Sequence, residues 1–241
     1  MDLSPEETAL LFRRSGLDSV EIRLDGDLSF GGLGKDDADG INALFGEGRV
    51  LSLNTGITLV PGYAPDRAFY DVVSFAAACG ARGVRVFADP RGDLDRLAVS
   101  CGRAASASLE RGVFLLIETH GELSSSRDVR RLYDAADGSF RVIWDVLHTM
   151  EAGEDPEESA RNLTGTISHV HLKDARRERK SYVMTPLGDG DIDPRRVRGL
   201  LEETSFSGEL SLEWEEFWRP ELKGIYKSPD DLIQAYKNWI E

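Results

Sequence analysis

The chain has 241 residues, 41% of them hydrophobic and 30% charged, so it can bury a sizeable core without disulfide or metal staples. Its formal net charge of −14 argues against the broad basic surface that binding a phosphate backbone needs. The two cysteines, Cys79 and Cys101, form neither a CxxC nor a framework pattern and read as buried thiols of a reducing compartment. No apolar run reaches the ~18–20 residues of a membrane span. The acidic N-terminal lead, MDLSPEETALLF, lacks the features of a signal peptide, so a cytoplasmic protein with no membrane partner is expected.

In chain order, short apolar or β-branched runs alternate with segments of helical period. Ser4, Pro5 and Glu7 make an N-cap, an N1 proline and a capping box that open a first helix. The strand signals are 19–24 (SVEIRL), 50–54 (VLSLN), 84–87, 113–118 (VFLLIE), 141–145 (RVIWD), 168–172 (SHVHL) and 209–213 (ELSLE). Several are nearly continuous apolar runs, as parallel strands buried on both faces require. Asp66 opens a helix with Phe69, Val72, Val73, Ala76 and Cys79 on one stripe, and Ser228 with Pro229 opens the last one. Gly31, Gly32 and Gly34 in SFGGLGKDD match neither a P-loop nor a dinucleotide turn and read as a flexible loop.

Strand–helix alternation without a linker or repeat predicts one domain over residues 1–241, an α/β fold of the TIM-type (β/α) barrel. Only seven parallel strands are found, and the chain opens on a helix. The first strand of an eight-stranded barrel is therefore expected to be missing, leaving edges at 19–24 and 209–213. Open edges invite pairing, so a homo-oligomer that covers this seam is expected.

Four late strands in succession each end in a metal-capable side chain: Glu118 in LLIETHG, Asp145 in WDVLHTM, His171 in SHVHLKD and Glu213 in LSLEWE. Strand C-termini of an α/β barrel converge on the face that holds active sites. A carboxylate inside an apolar strand is costly unless paired or metal-bound. Two Glu, one Asp and one His suit one divalent ion, Mn²⁺ first, with Mg²⁺, Co²⁺ and Zn²⁺ also compatible. His148, three residues after Asp145, and His120, two after Glu118, are placed to line the mouth. His169, two residues before His171, is expected to face the opposite way, toward the helices. Lys173, Arg176, Arg177 and Lys180 read as solvated loop charge, with a phosphorylated substrate left open.

Together, GLDSVEIRLD, LIETHG, the DxxH of WDVLHTM, HVHLKD, the GDGDID stretch and LSLEWE resemble the xylose isomerase-like superfamily, which also includes the AP endonuclease family 2 fold. The likeness runs from Gly16 to the C-terminus. It implies metal ligation by Glu118, Asp145, His171 and Glu213, and substrate contact by His148. By position it also implies a substrate arginine at Arg177, within surroundings that differ. It further implies isomerisation or epimerisation of a small sugar or sugar phosphate through a metal-stabilised enediolate, with Glu118 and Glu213 as the acid/base pair. Dehydration of an inosose or related keto-polyol uses the same set, and a non-catalytic sugar-binding barrel is the reading from another class. A three-zinc endonuclease is disfavoured, because four histidines cannot supply its cluster and the chain is acidic.

Overall fold

In the computed structural model, residues 3–24, 34–204 and 206–241 are described, and the glycines Gly31 and Gly32 lie outside them. The chain divides into two compact units, Leu3–Glu118 with Arg130–Arg141, and Thr119–Val129 with Val142–Glu241.

The first unit opens on α1 (Pro5–Ser15), where both halves of the Ser4/Glu7 capping box form and Gly16 closes the helix in the left-handed region at φ 69°. Among the described residues no strand precedes β1 (Val20–Leu24). It pairs in parallel with β2 (Val50–Leu59), then follow β3 (Gly83–Ala88) and β4 (Phe114–Glu118), each parallel to the last. β2 runs five residues beyond the signal at 50–54, through a register shift between Asn54 and Thr58. Between the strands lie α2 (Lys35–Phe45), α3 (Arg67–Ala78) and α4 (Leu94–Leu109). The α3 stripe of Phe69, Val72, Val73 and Ala76 is buried as its period requires, and Asp66 caps the helix through the Phe69 N–H. Cys79 and Cys101 are buried free thiols, and burial pushes them up to about 11 and about 12.

In the second unit, which takes all of β5 (Arg141–Asp145) but its first residue, β5, β6 (Ile167–Leu172) and β9 (Leu210–Leu212) are parallel neighbours in that order. Counting both units, the described residues hold seven parallel strands, the number expected. The segment read as loop charge instead forms an antiparallel hairpin, β7 (Ala175–Glu178) with β8 (Ser181–Met184). Its residues are mostly polar and exposed, so no apolar alternation announced it.

Behind the hairpin, buried Asp174 organises the GDGDID loop. Its carboxylate accepts from the N–H groups of Ala175, Gly188, Gly190 and Ile192 at 2.8–3.3 Å. Burial pushes this carboxyl up although those N–H groups pull it down. Gly190 must be glycine, since a Cβ there would lie 2.1 Å from Asp174 Oδ1. Asp193 then caps α8 (Pro194–Glu203), and Ser228 caps α9 (Pro229–Ile240). The remaining helices are α5 (Ser126–Ala135), α6 (Val146–Glu151) and α7 (Pro156–Asn162). No described helix is long and apolar enough to cross a membrane.

Glu154, 5% exposed, holds the start of α5: it accepts from the Ser125 and Ser159 hydroxyls and from the Ser126 and Arg127 N–H groups. Burial opposes its charge, but the bonds from Ser126, Ser125 and Arg127 prevail and hold its carboxyl below the usual range. A lowered folded pKa stabilises above the unfolded value and is lost as pH falls through the folded one. Glu154→Gln should therefore cost about 1–3 kcal/mol near neutral pH, a deficit that narrows as pH drops below about 4. Urea unfolding at a series of pH values checks both parts.

Candidate metal centre

Three of the four expected ligands come together in the second unit. Asp145 is the last residue of β5, His171 the fifth of the six in β6, and Glu213 follows β9 directly. The Glu213 N–H donates to Leu172 O at 2.9 Å, which fixes the chain as it leaves the strand. One ligand atom from each of Asp145, His171 and Glu213 lies within 4.8 Å of the others. Donors on opposite sides of one ion, each about 2.0–2.4 Å away, stand roughly 4–5 Å apart, so this spacing fits a single ion. Two carboxylates and an imidazole are a donor set for a hard-to-borderline divalent cation.

Asp145 is fully buried and does two things at once. Oδ1 accepts the His148 N–H at 3.0 Å and so caps α6, while Oδ2 lies 2.8 Å from the Lys173 ammonium. Burial opposes ionisation of Asp145, but Lys173, then His148 and His171, hold its carboxyl well below the usual range. Its strand is tied from the side by Thr119, whose hydroxyl accepts the Asp145 N–H at 2.9 Å and donates to Asp145 O at 3.2 Å.

Lys173 is the residue that sequence reasoning misplaced. It is 1% exposed, not solvated loop charge, and its Nζ lies 2.5 Å from Glu213 Oε2 and 2.5 Å from Glu215 Oε1, besides Asp145. Burial would lower it, yet Asp145, Glu213 and Glu215 raise it well above the ordinary lysine value. It is a standing cation, unsuited to act as a neutral amine base or Schiff-base nucleophile. Glu215, also absent from the expected site, is held below the usual range: burial opposes its charge, but Lys173 and Arg219 outweigh it. Arg219 Nε donates to its other oxygen at 2.7 Å. The signal available was a lysine directly after an apolar strand and a second glutamate two residues past Glu213.

His148 Nε2 is 3.8 Å from Asp145 Oδ2, its Nδ1 is 2.9 Å from Glu151 Oε2, and its ring meets that of His120 edge-on at 4.7 Å. The expectation for His169 was wrong. Residues two apart on a strand share a face, and the His169 and His171 rings are 5.4 Å apart. Arg177 sits exposed on β7, its backbone N–H bound to Asp191 Oδ2 at 2.7 Å. Arg176 and Lys180 are likewise exposed.

Glu118 belongs to the first unit, as the last residue of β4, 3% exposed. Its Oε2 lies 3.2 Å from Nε of Arg85, itself 2% exposed on β3 and donating to Thr55 O at 2.7 Å. Arg85 went unremarked in the sequence, although an arginine inside GVRVFA is as costly to bury as a carboxylate. A separate cleft of about 590 Å³, lined by Gly188, Asp191, Arg195 and Trp239 among others, contains none of the candidate ligands.

A family model described as xylose isomerase-like TIM barrel matches residues 11–239. An inosose dehydratase from Clostridium perfringens is 26% identical over 138 residues, which cover 50% of this chain and 46% of that protein. The chain thus spans about half the length of the curated relatives it matches. The crystal structure of an Escherichia coli 3-keto-D-glucoside 4-epimerase superposes with a TM-score of 0.71 at 15% identity, covering 100% of this chain and 95% of that one. A xylose isomerase domain-containing protein from Salmonella typhimurium superposes with a TM-score of 0.74 at 18% identity, covering 99% and 92%. At these identities the superpositions establish the fold alone, a TIM-type (β/α) barrel.

Thr119→Val keeps the shape of the side chain but strips the Asp145 N–H of its acceptor. It should cost about 1–3 kcal/mol of stability. A loss under about 0.5 kcal/mol in chemical denaturation would show that this tie does not hold Asp145.

Proposed function

Because the chain belongs to the xylose isomerase-like TIM barrel family, we propose that it is a divalent-metal-dependent isomerase or epimerase of a small sugar or sugar phosphate, working as a single domain over 1–241. The observation that carries this reading is the gathering of Asp145, His171 and Glu213 at three successive parallel strand ends. We assign Glu118 to the same ligand set. In support, it ends the preceding strand of the chain, is buried, and is bonded through its own carbonyl carbon to Thr119, the residue that ties Asp145. Mn²⁺ is the proposed ion.

When bound, such an ion supplies Lewis-acid polarisation of a carbonyl, which acidifies the neighbouring C–H. The remaining work falls to the chain's own groups. Glu213, partly exposed, is assigned to take that proton, and Glu118 to hold or return one. Returned to the same carbon from the other side, the proton gives the epimer; returned to the adjacent carbon, it gives the aldose–ketose isomer. His148 is assigned to a substrate oxygen, with its ring backed by His120 and oriented by Glu151. Arg177 is assigned to substrate contact from the hairpin by the family resemblance alone. Arg85, 3.2 Å from Glu118, is assigned to position that carboxylate.

The similarity to an inosose dehydratase favours one second reading, loss of a β-hydroxyl as water after the same proton removal. The chemistry to that point is shared, so the two readings differ in product and not in site.

Chelator-stripped protein given Mn²⁺ and a panel of ketoses, inososes and their phosphates in D₂O should wash deuterium into the carbon next to the carbonyl. Product analysis then separates an isomer from a dehydrated ketone. Glu118→Gln and Glu213→Gln should each lower kcat by about 10²–10⁴ with the fold intact, since an amide keeps the shape but cannot exchange the proton. Retention of activity within tenfold in both variants would rule out the two-carboxylate mechanism.

A further inference from the structure

We propose that Lys173 is a built-in rival of the divalent ion, and that Glu215 is the acceptor that retains its ammonium when an ion enters. This rests on the metal-site reading above.

The lysine and the ion compete for the same lone pairs. Lys173 has three N–H donors and three carboxylates around it, Asp145, Glu213 and Glu215, at 2.8, 2.5 and 2.5 Å. Two of those three are candidate ligands, and the oxygens engaged are the ones an ion would use. On Asp145, Oδ1 is committed to capping α6 through the His148 N–H, so Oδ2, the oxygen facing Lys173, is left for the ion. On Glu213, the oxygen touching Lys173 is Oε2, the same atom that lies 3.6 Å from His171 Nδ1. An ion between Asp145, His171 and Glu213 therefore draws on the atoms that now hold the ammonium. It also brings two further positive charges beside a lysine that is 1% exposed, where solvent cannot screen the repulsion.

Glu215 differs from the other two. Its second oxygen is held by Arg219, four residues further on, at 2.7 Å, and it is outside the candidate ligand group. Its position is thus set by protein groups alone. It can keep one strong bond to the ammonium after Asp145 and Glu213 have turned to the ion. The pair Lys173–Glu215 sets how much repulsion an incoming ion meets: the lysine weakens ion binding, and the glutamate limits that weakening.

The two halves predict opposite signs, which a merely structural role would not produce. Isothermal titration of chelator-stripped protein with Mn²⁺ reads this directly, alongside the shift in Tm that Mn²⁺ causes. Lys173→Met should bind Mn²⁺ about tenfold or more tightly than the unaltered chain, with a larger Tm shift. Glu215→Gln, which leaves the ammonium with no charged acceptor besides the ligands, should bind about tenfold more weakly. Lys173→Gln, polar and closer in shape, serves if the methionine variant fails to fold and should also bind more tightly. Lysine variants that bind as the unaltered chain does within twofold, or more weakly, overturn the proposal, as does a Glu215→Gln variant that binds no more weakly. Tighter binding in a lysine variant where the unaltered chain binds too weakly to measure supports it. If neither the unaltered chain nor the lysine variants bind Mn²⁺, the metal reading itself falls, and this inference with it.

Discussion

A lysine ammonium buried among carboxylates is stable only while their charges offset its lost hydration. Removing one partner from such a cluster leaves an uncompensated charge, typically at a cost of about 3–5 kcal/mol. Lys173 imposes this constraint on the second unit. Asp145, Glu213 and Glu215 must stay ionised and must stay within reach, although they arrive from the ends of two strands far apart in sequence. Two of the three carboxylates that neutralise the lysine, Asp145 and Glu213, are also candidate metal ligands.

The surrounding structure serves to hold these groups still. Asp145 is tied at its backbone by Thr119 and at its side chain by the first turn of α6. Glu213 is fixed by its N–H on Leu172 O. Glu215 is fixed by Arg219, and the loop that follows Lys173 is drawn around Asp174 by four backbone N–H groups. A site mounted on strand ends with its supporting bonds already made loses little entropy on binding. On the other unit, Arg85 does for Glu118 what Lys173 does for Asp145. Both are buried cations set against a strand-end carboxylate.

Much of this was legible in the sequence because burial on both faces leaves its mark as unbroken apolar runs. Several of the seven parallel strands were found that way, and a charged residue closing such a run, as in LLIE or VIWD, stood out; SVEIRL and ELSLE, less buried, were read from shorter alternating runs between helical segments. What escaped depended on partners distant in the chain. Lys173 meets Glu213 and Glu215 forty and forty-two residues later, a pairing that no local pattern encodes. The β7–β8 hairpin carries RRERK through β7 and its turn, so its first strand had no apolar alternation to read. His169 was misjudged for a simpler reason: strand side chains repeat every second residue, so it shares a face with His171.

The central claim is that the strand-end residues hold a divalent ion. Crystals of the full chain soaked in Mn²⁺ and measured at a wavelength where manganese scatters anomalously test it most directly. The expected result is one strong anomalous peak, bonded at about 2.0–2.4 Å to Asp145, His171 and Glu213. A peak elsewhere, or density in which Lys173 keeps all three carboxylates and no manganese enters, would contradict it.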